Sequence, residues 1–438
     1  MSLSRWMGVL ALAAAVLGLP GGLHAAGPAV TWRDLIPVID GGAGPALGEG
    51  EAVARALQSS RQVEALDHDV AVSEGRRASA GSLRNPQLRV QDLSTEYWRD
   101  RFDELTLGLR WKPPKLGELR EAEEEAELKV TEARVEAAKG RLEVAARVRH
   151  SYAELVYLEH LVRIRAERLD LEARRLDLVL RMKDLGQRSV VYYTKARMRL
   201  GQSRSELSRL EQRRNETRRD LARRVGLPLD AAPIVSAEPL PEALPAVDQL
   251  LAVAAARRPE EALVRQRRVL AVAQYDRERF KRVPWFSFVQ ANYHVEANGW
   301  DWGELALGLE LPIFDWNSGA IRATELDVAR RETRSAALAE RLENELRDRH
   351  AAWRDALLDW QLSTADAETL VTNARAIIDQ AQVHGTVPTD EVFELQIAIE
   401  DAREIVCTKR FELAEALSEL LLTVGVDDVG ALVDDKGR

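Results

Sequence analysis

A stretch from Lys115 to Lys183 contains no proline and only two glycines, Gly117 and Gly140. Nothing in it breaks a helix strongly. At about 1.5 Å per residue, roughly 65 helical residues extend about 100 Å, too long for any compact globule. A second stretch, Ile321 to Val383, is also free of proline. Within the first, Leu155, Val162, Leu169 and Leu176 recur at heptad spacing. Tyr157, Ile164, Leu171, Leu178 and Leu185 do the same, displaced by two positions. Two positions turn about 200° around a helix, so the two seams lie on nearly opposite flanks. A two-stranded coiled coil needs one seam. Two seams predict neighbours on both sides, as in a wall or cylinder of helices. Between the seams, Arg163, Arg165, Glu167, Arg168, Asp170 and Arg174 are expected to meet water.

The chain is also duplicated. Leu105-Thr106-Leu107-Gly108-Leu109 answers to Leu305-Ala306-Leu307-Gly308-Leu309. Asn85-Pro86 answers to Val283-Pro284, Gly117 with Arg120 to Gly319 with Arg322, Leu185-Gly186 to His384-Gly385, and Val225-Gly226-Leu227 to Val424-Gly425-Val426. One order at one offset of about 200 residues marks an internal repeat. Each half is predicted to run helix, strand, strand, long helix, turn, helix. The partner helices are expected over Ser189–Val225 and Thr389–Leu422, making each half an extended helical hairpin. The predicted organisation is an export signal at 1–26, a flexible lead at 27–48 and a first repeat at 49–228. A proline-rich linker follows at 229–247, then a second repeat at 248–427 and a tail at 428–438.

The strand segments alternate with period two. Leu105, Leu107, Leu109 and Trp111 face one way, as do Leu305, Leu307, Leu309 and Leu311. Trp285, Val289, Ala291, Tyr293 and Val295 share a face, opposite Gln290, Asn292, His294 and Glu296. Gln87 to Leu93 is a weaker candidate, because Arg89, Gln91 and Asp92 leave little apolar face. Six of the ten tryptophans, Trp98, Trp111, Trp285, Trp300, Trp302 and Trp316, sit in or beside these strands. A bilayer interface selects aromatics at strand ends. A soluble half-buried hairpin would give the same alternation, and the tryptophans would then fill its core. If the strands are membrane strands, four cannot close a barrel, so several chains must share one.

The remaining signals exclude classes of function. The net charge of −9 gives no basic surface for nucleic acid. Arg5, the apolar run Val9 to Leu19, and Ala25-Ala26 have the layout of an export signal. A lone cysteine, Cys407, rules out an intramolecular disulfide. His150 and His160 are too far apart for a helical zinc pair, and no phosphate loop, dinucleotide fingerprint or Gly-x-Ser-x-Gly occurs. No catalytic residue, cofactor or metal site is predicted.

Taken together, the repeat, the strand pairs ending at Lys112-Pro113-Pro114 and Leu311-Pro312-Ile313-Phe314-Asp315, and the glycine-marked turns resemble the outer-membrane efflux protein family typified by TolC. The likeness covers about residues 49 to 427. It implies a mainly helical fold with a small β part. Three chains would form a twelve-stranded outer-membrane barrel continuous with a periplasmic α-barrel. It implies a passive exit duct in a Gram-negative outer membrane, a homotrimer in lipid, joined through a periplasmic adaptor to an inner-membrane, proton-driven pump. The adaptor-facing tips match Leu185, Gly186, Gln187, Arg188 and Ser189, and His384, Gly385, Thr386, Val387 and Pro388. The pore-constricting acids match Glu391 and Glu394. The run Leu311 to Gly319 is similar to the heavy-metal branch of the family, which implies divalent-cation cargo. Exit of secreted proteins is another cargo class within this resemblance. A periplasmic structural coiled-coil protein is the alternative outside it.

Overall fold

A computed structural model describes Leu35 and residues 46–92, 104–228, 233–296, 301–384 and 388–433. The export-signal segment, most of the lead, Trp98, Trp300, Gly385, Thr386, Val387 and the last five residues lie outside the described residues. In chain order the elements are β1 (Ala46–Leu47), α1 (Glu49–Ser59), α2 (Arg61–Ala80), β2 (Gln87–Asp92), β3 (Glu104–Trp111), α3 (Glu118–Asp184) and α4 (Val190–Arg224). The second half continues with β4 (Ile234–Val235), α5 (Val247–Arg257), α6 (Glu260–Phe280), β5 (Trp285–Glu296), β6 (Asp301–Glu310), α7 (Ser318–His384), α8 (Thr389–Val424) and α9 (Gly430–Val433). Both α3 and α7 are 67 residues long, as the proline-free stretches require. The helix before each strand pair is broken in two. Ser60 turns extended between α1 and α2, and its Oγ accepts from the Val63 N–H at 3.4 Å. Arg258 is extended at the matching break before Pro259, which a residue preceding proline favours.

The chain divides into two units, and the residues of α3, α4, α7 and α8 are shared between them. One unit holds Tyr157–Arg213 and Leu358–Arg410. In it the helices form a row in the order α4, α3, α8, α7. Arg165 of α3 reaches Glu206 of α4 at 3.3 Å and Glu404 of α8 at 2.6 Å. Arg168 pairs with Asp401 of α8, and Lys409 of α8 lies 3.4 Å from Asp359 of α7. Ile164, Val371, Ile399, Val406 and Cys407 pack in the core of this row. Arg165 and Arg168 were expected to face water. They are largely buried instead, because the flank between the seams of α3 carries a neighbour too.

The other unit holds Asp40–Val156, Arg214–Leu357 and Phe411–Arg438. Ion pairs flank α3 here on both sides. Arg134–Glu74 (2.6 Å) and Arg141–Asp67 (2.7 Å) join it to α2, while Arg267–Glu132 (3.0 Å) and Lys139–Glu260 (3.2 Å) join it to α6. These pairs are largely exposed and add little stability, so apolar packing carries the unit. Gly140 is what lets α2 approach, since a Cβ there would lie 2.3 Å from Leu66 Cδ1. The short strands β1 and β4 pair in parallel. The Tyr152 hydroxyl, 3.0 Å from the carbonyl oxygens of Leu47 and Ser236, ties both to α3. The predicted lead and linker thus each contribute a strand.

The remaining four strands form one antiparallel sheet in the order β2-β3-β5-β6, so the two repeats meet at β3 and β5. The weak candidate over Gln87–Asp92 is a real strand, paired to β3 along its whole length.

Candidate functional site

Two places concentrate chemistry, and each lies within one unit. The first is the sheet. Its register lines up Leu88, Leu109, Ala291 and Leu305 across all four strands, with Val90, Leu107 and Tyr293 as the next row. This face is exposed: Leu88 is 73% and Leu305 69% accessible. The opposite face is polar: Thr106 (4% accessible) and His294 (7%) are buried in it, while Glu304 and Trp302 reach its surface. There Thr106 Oγ1 meets His294 Nδ1 at 3.1 Å, the Asn292 amide donates to Glu304 at 3.0 Å, and the Gln290 amide donates to Asn292 Oδ1 at 2.7 Å. A water-soluble sheet buries its apolar side and wets its polar one. This sheet leaves its apolar side bare, which a soluble half-buried hairpin does not explain.

The tryptophans divide by face. A bulge between Phe286 and Phe288 adds one residue to β5 and inverts the alternation before it. Trp285 therefore pairs with Glu310 and does not share the face of Val289 to Val295, correcting the sequence-based assignment. Its indole donates to the Pro114 carbonyl at 2.9 Å, as the Trp111 indole does to Arg84 at 3.1 Å. Trp302 lies on the polar face, stacked on His294 with centroids 4.0 Å apart, so it does not point to the apolar side. Trp316, past the end of β6, is exposed.

The second place is the pair of hairpin tips. At the first, α3 ends in a Schellman motif, with Gln187 N–H donating to Met182 O at 2.8 Å and Gly186 N–H to Lys183 O at 2.9 Å. Gly186 takes the left-handed conformation this needs, at φ 72°. Leu185, Gln187, Arg188 and Ser189 are exposed around it, and Ser189 Oγ accepts from the Tyr192 N–H at 3.3 Å, capping α4. At the second tip, His384 ends α7 and Pro388 is exposed ahead of α8.

Just inside the tips stands a cluster that sequence reasoning missed. The Asp390 carboxylate, 5% accessible, accepts from Arg175 Nε at 2.8 Å, from the Tyr192 hydroxyl at 2.6 Å and from Arg188 at 3.4 Å. Arg175 also holds Glu394. Burial by itself would raise the Asp390 pKa, but the bonds from Arg175 and Tyr192 and the guanidinium charge outweigh it and hold the carboxyl below its ordinary range. Burial and donation to that carboxylate push the Tyr192 phenol up. Of the two acids expected at a constriction, Glu394 is engaged by Arg175, while Glu391 is exposed and makes no ion pair among the described residues. Asp390 sits beside both. By sequence alone an acid in the first turn of a helix looks like an ordinary dipole partner. Its real partners come from α3 and α4, about 200 residues away.

No group of three His, Cys, Asp or Glu among the described residues is placed to hold a metal ion. No protein-family profile and no curated protein matches the sequence. Solved structures do match. The outer membrane protein VceC of Vibrio cholerae is 17% identical, over 86% of this chain and 96% of its own, with a TM-score of 0.67. CusC, studied for the conformational changes that accompany its folding and transmembrane channel formation, is 16% identical over 93% of this chain and 97% of its own, at 0.68. The open state of the MtrE outer membrane channel of Neisseria gonorrhoeae is 14% identical over 86% and 89%, at 0.68. The chain therefore has the fold of these outer-membrane channel proteins, with long helical hairpins and four strands in the arrangement its own repeat predicts.

Proposed function

We propose that this chain is a subunit of an outer-membrane efflux channel of a Gram-negative bacterium, a passive duct with no catalytic role. The observation that carries the reading is the inverted sheet: apolar side chains bare on one face, a hydrogen-bonded polar network on the other. Lipid against the first face and an aqueous lumen against the second is the environment such a sheet fits. In the order β2-β3-β5-β6 the strands β2 and β6 keep open edges. Open edges are not tolerated in lipid, so further copies must complete the barrel, and three would supply twelve strands. The helical hairpins make up the periplasmic part. Their tips, Leu185 to Ser189 and His384 to Pro388, meet an adaptor coupled to an inner-membrane pump. Glu391 is the free carboxylate of an acidic constriction that favours cations. Glu394 is the partly neutralised one, and Arg175 and Asp390 brace it from behind. Small molecules and metal cations are the cargo classes this constriction suits.

The test is single-channel conductance of detergent-purified protein in a planar bilayer, for wild type and Glu391→Ala/Glu394→Ala. Stable conductance whose cation preference falls in the variant supports both channel and constriction. Conductance unaffected by the variant keeps the channel and removes the constriction. A protein that extracts into buffer without detergent and never conducts refutes the channel and leaves the periplasmic coiled-coil alternative.

A further inference from the structure

The repeated runs Leu105 to Leu109 and Leu305 to Leu309 each place a glycine on the polar face of the sheet, and β5 uses the two spaces differently. Register sets Gly108 beside Asn292 and Gly308 beside Phe288. A Cβ at Gly108 would lie 2.5 Å from Asn292 Oδ1, and one at Gly308 2.5 Å from the Phe288 ring. The first space holds the amide that donates to Glu304. The second seats an aromatic ring on a mainly polar face, and the Arg110 guanidinium lies over that ring, 4.0 Å from its centroid. Stacking of this kind holds the planar guanidinium fork in one orientation.

Arg110 is partly buried and has no carboxylate partner among the described residues, and its Nε is buried without a hydrogen bond. Arg89 is also partly buried and makes no ion pair among the described residues. It stands on the same face of the next strand, since Gln87 lies opposite Arg110 and Arg89 opposite Gly108. Diagonal neighbours of this kind are about 7–8 Å apart, so two long side chains can close on one anion. The acids of this face do not answer the pair. Glu304 accepts from the Asn292 amide at 3.0 Å and lies 3.4 Å from His294 Nε2, and Glu310 is paired with Lys115 at 2.6 Å. Glu104 and Glu296 stand opposite one another at the far end of β3, six residues from Arg110 and about 20 Å along the strand. Like charges this close destabilise a sheet, so the packing of the strands does not account for the two arginines.

We infer that Arg89 and Arg110 form a binding site for the carboxylate of an organic anion on the lumen side of the sheet. The oriented fork of Arg110 donates to both carboxylate oxygens, and Arg89 supplies the second positive charge. Gln87 and Gln290, on either side of Arg110 in the register, bring amides to the same row. Phe288, partly exposed beneath the guanidinium, offers apolar surface to the body of the anion. This site rests on the channel reading, which makes the polar face the wall of the duct. It adds small organic anions to the cargo, held by charge opposite to that of the acidic constriction.

Two measurements on the full-length detergent-purified protein test it. In a planar bilayer at low salt, the aromatic tricarboxylate trimesate should block the wild-type current, and Arg89→Gln/Arg110→Gln should raise the blocking concentration about tenfold. Arg110→Lys keeps the charge without the fork and should fall between the two. Separately, Cys407 is buried, so Gln87→Cys supplies an accessible thiol opposite Arg110 while both arginines stay in place. Its rate of modification by an anionic methanethiosulfonate, divided by that for a cationic one and read by mass spectrometry, should fall about tenfold when Arg89→Gln/Arg110→Gln is added. A conducting protein whose block and labelling ratio ignore the arginines overturns the site and spares the channel. A labelling ratio that falls as expected in a protein that never conducts keeps the anion site and overturns the channel. An unchanged ratio without conductance overturns both.

Discussion

Replacing Asp390 with asparagine keeps the shape of the side chain and removes its charge. The carboxylate is 5% accessible and its main partner, the Arg175 guanidinium, 10%. Breaking one side of a buried ion pair costs about 3–5 kcal/mol, because the other charge is stranded. Arg175 is not wholly stranded here, since Glu394 remains. That carboxylate is 59% accessible, however, and an exposed pair returns at most about 1 kcal/mol. The expected loss is therefore about 2–4 kcal/mol, on the order of a hundredfold in the unfolding constant. Denaturant melts followed by far-ultraviolet circular dichroism would measure it. Arg175→Met and the double variant complete a cycle whose coupling should exceed about 1 kcal/mol. The pH dependence has a definite sign. The folded pKa of Asp390 is depressed, so its contribution is complete above the unfolded value of about 3.9 and is lost as pH falls through the lower folded value. Wild type and Asp390→Asn should accordingly converge in stability at strongly acidic pH and stay apart at neutral pH. A neutral-pH loss below about 0.5 kcal/mol, or single losses that add without coupling, would refute the argument.

On the sheet, Leu107→Arg should cost about 2–4 kcal/mol in lipid and reduce heat-modifiable folded protein on reconstitution, while Ala306→Arg on the polar face should not; equal effects would sink the assignment of faces. Burial pushes the Cys407 thiol up to about 12, so a maleimide at neutral pH should label it only after denaturation, and rapid labelling of native protein would contradict the packing. Gly117 and Gly186 both have positive φ, but a Cβ at Gly117 would lie 3.2 Å from Arg277 Cα, whereas Gly186 faces open space. Gly186→Ala should cost about 1–2 kcal/mol and Gly117→Ala more, with the reverse order in thermal melts as the contrary result.

The sequence carried those features that repeat along it. Proline-free stretches, heptad seams and period-two strands each depend on neighbours in the chain, and α3, α7, β3 and β6 form where those patterns predict. What stayed hidden depends on partners far away. Asp390 acquires its meaning from Arg175 and Tyr192 on other helices. The face of Trp285 is set by a one-residue bulge against β6, which no alternation count reveals. β1 and β4 are two residues each and exist because Tyr152 binds the backbone beside them. The weak pattern of β2 was misleading in the other direction. Arg89 and Gln91 reduce its apolar content, yet they alternate with Leu88 and Val90, so the strand still contributes to the apolar rows.

The inverted sheet also dictates an order of events in the making of the protein. Helices held by their own apolar seams can form as soon as the chain is released, since their contacts are internal to one copy. The strands cannot finish then. A lone copy in water would hold up a bare hydrocarbon surface with an unpaired strand at each side, which invites clumping. In the proposed channel, completion of this β part would therefore wait for bilayer and sister chains together.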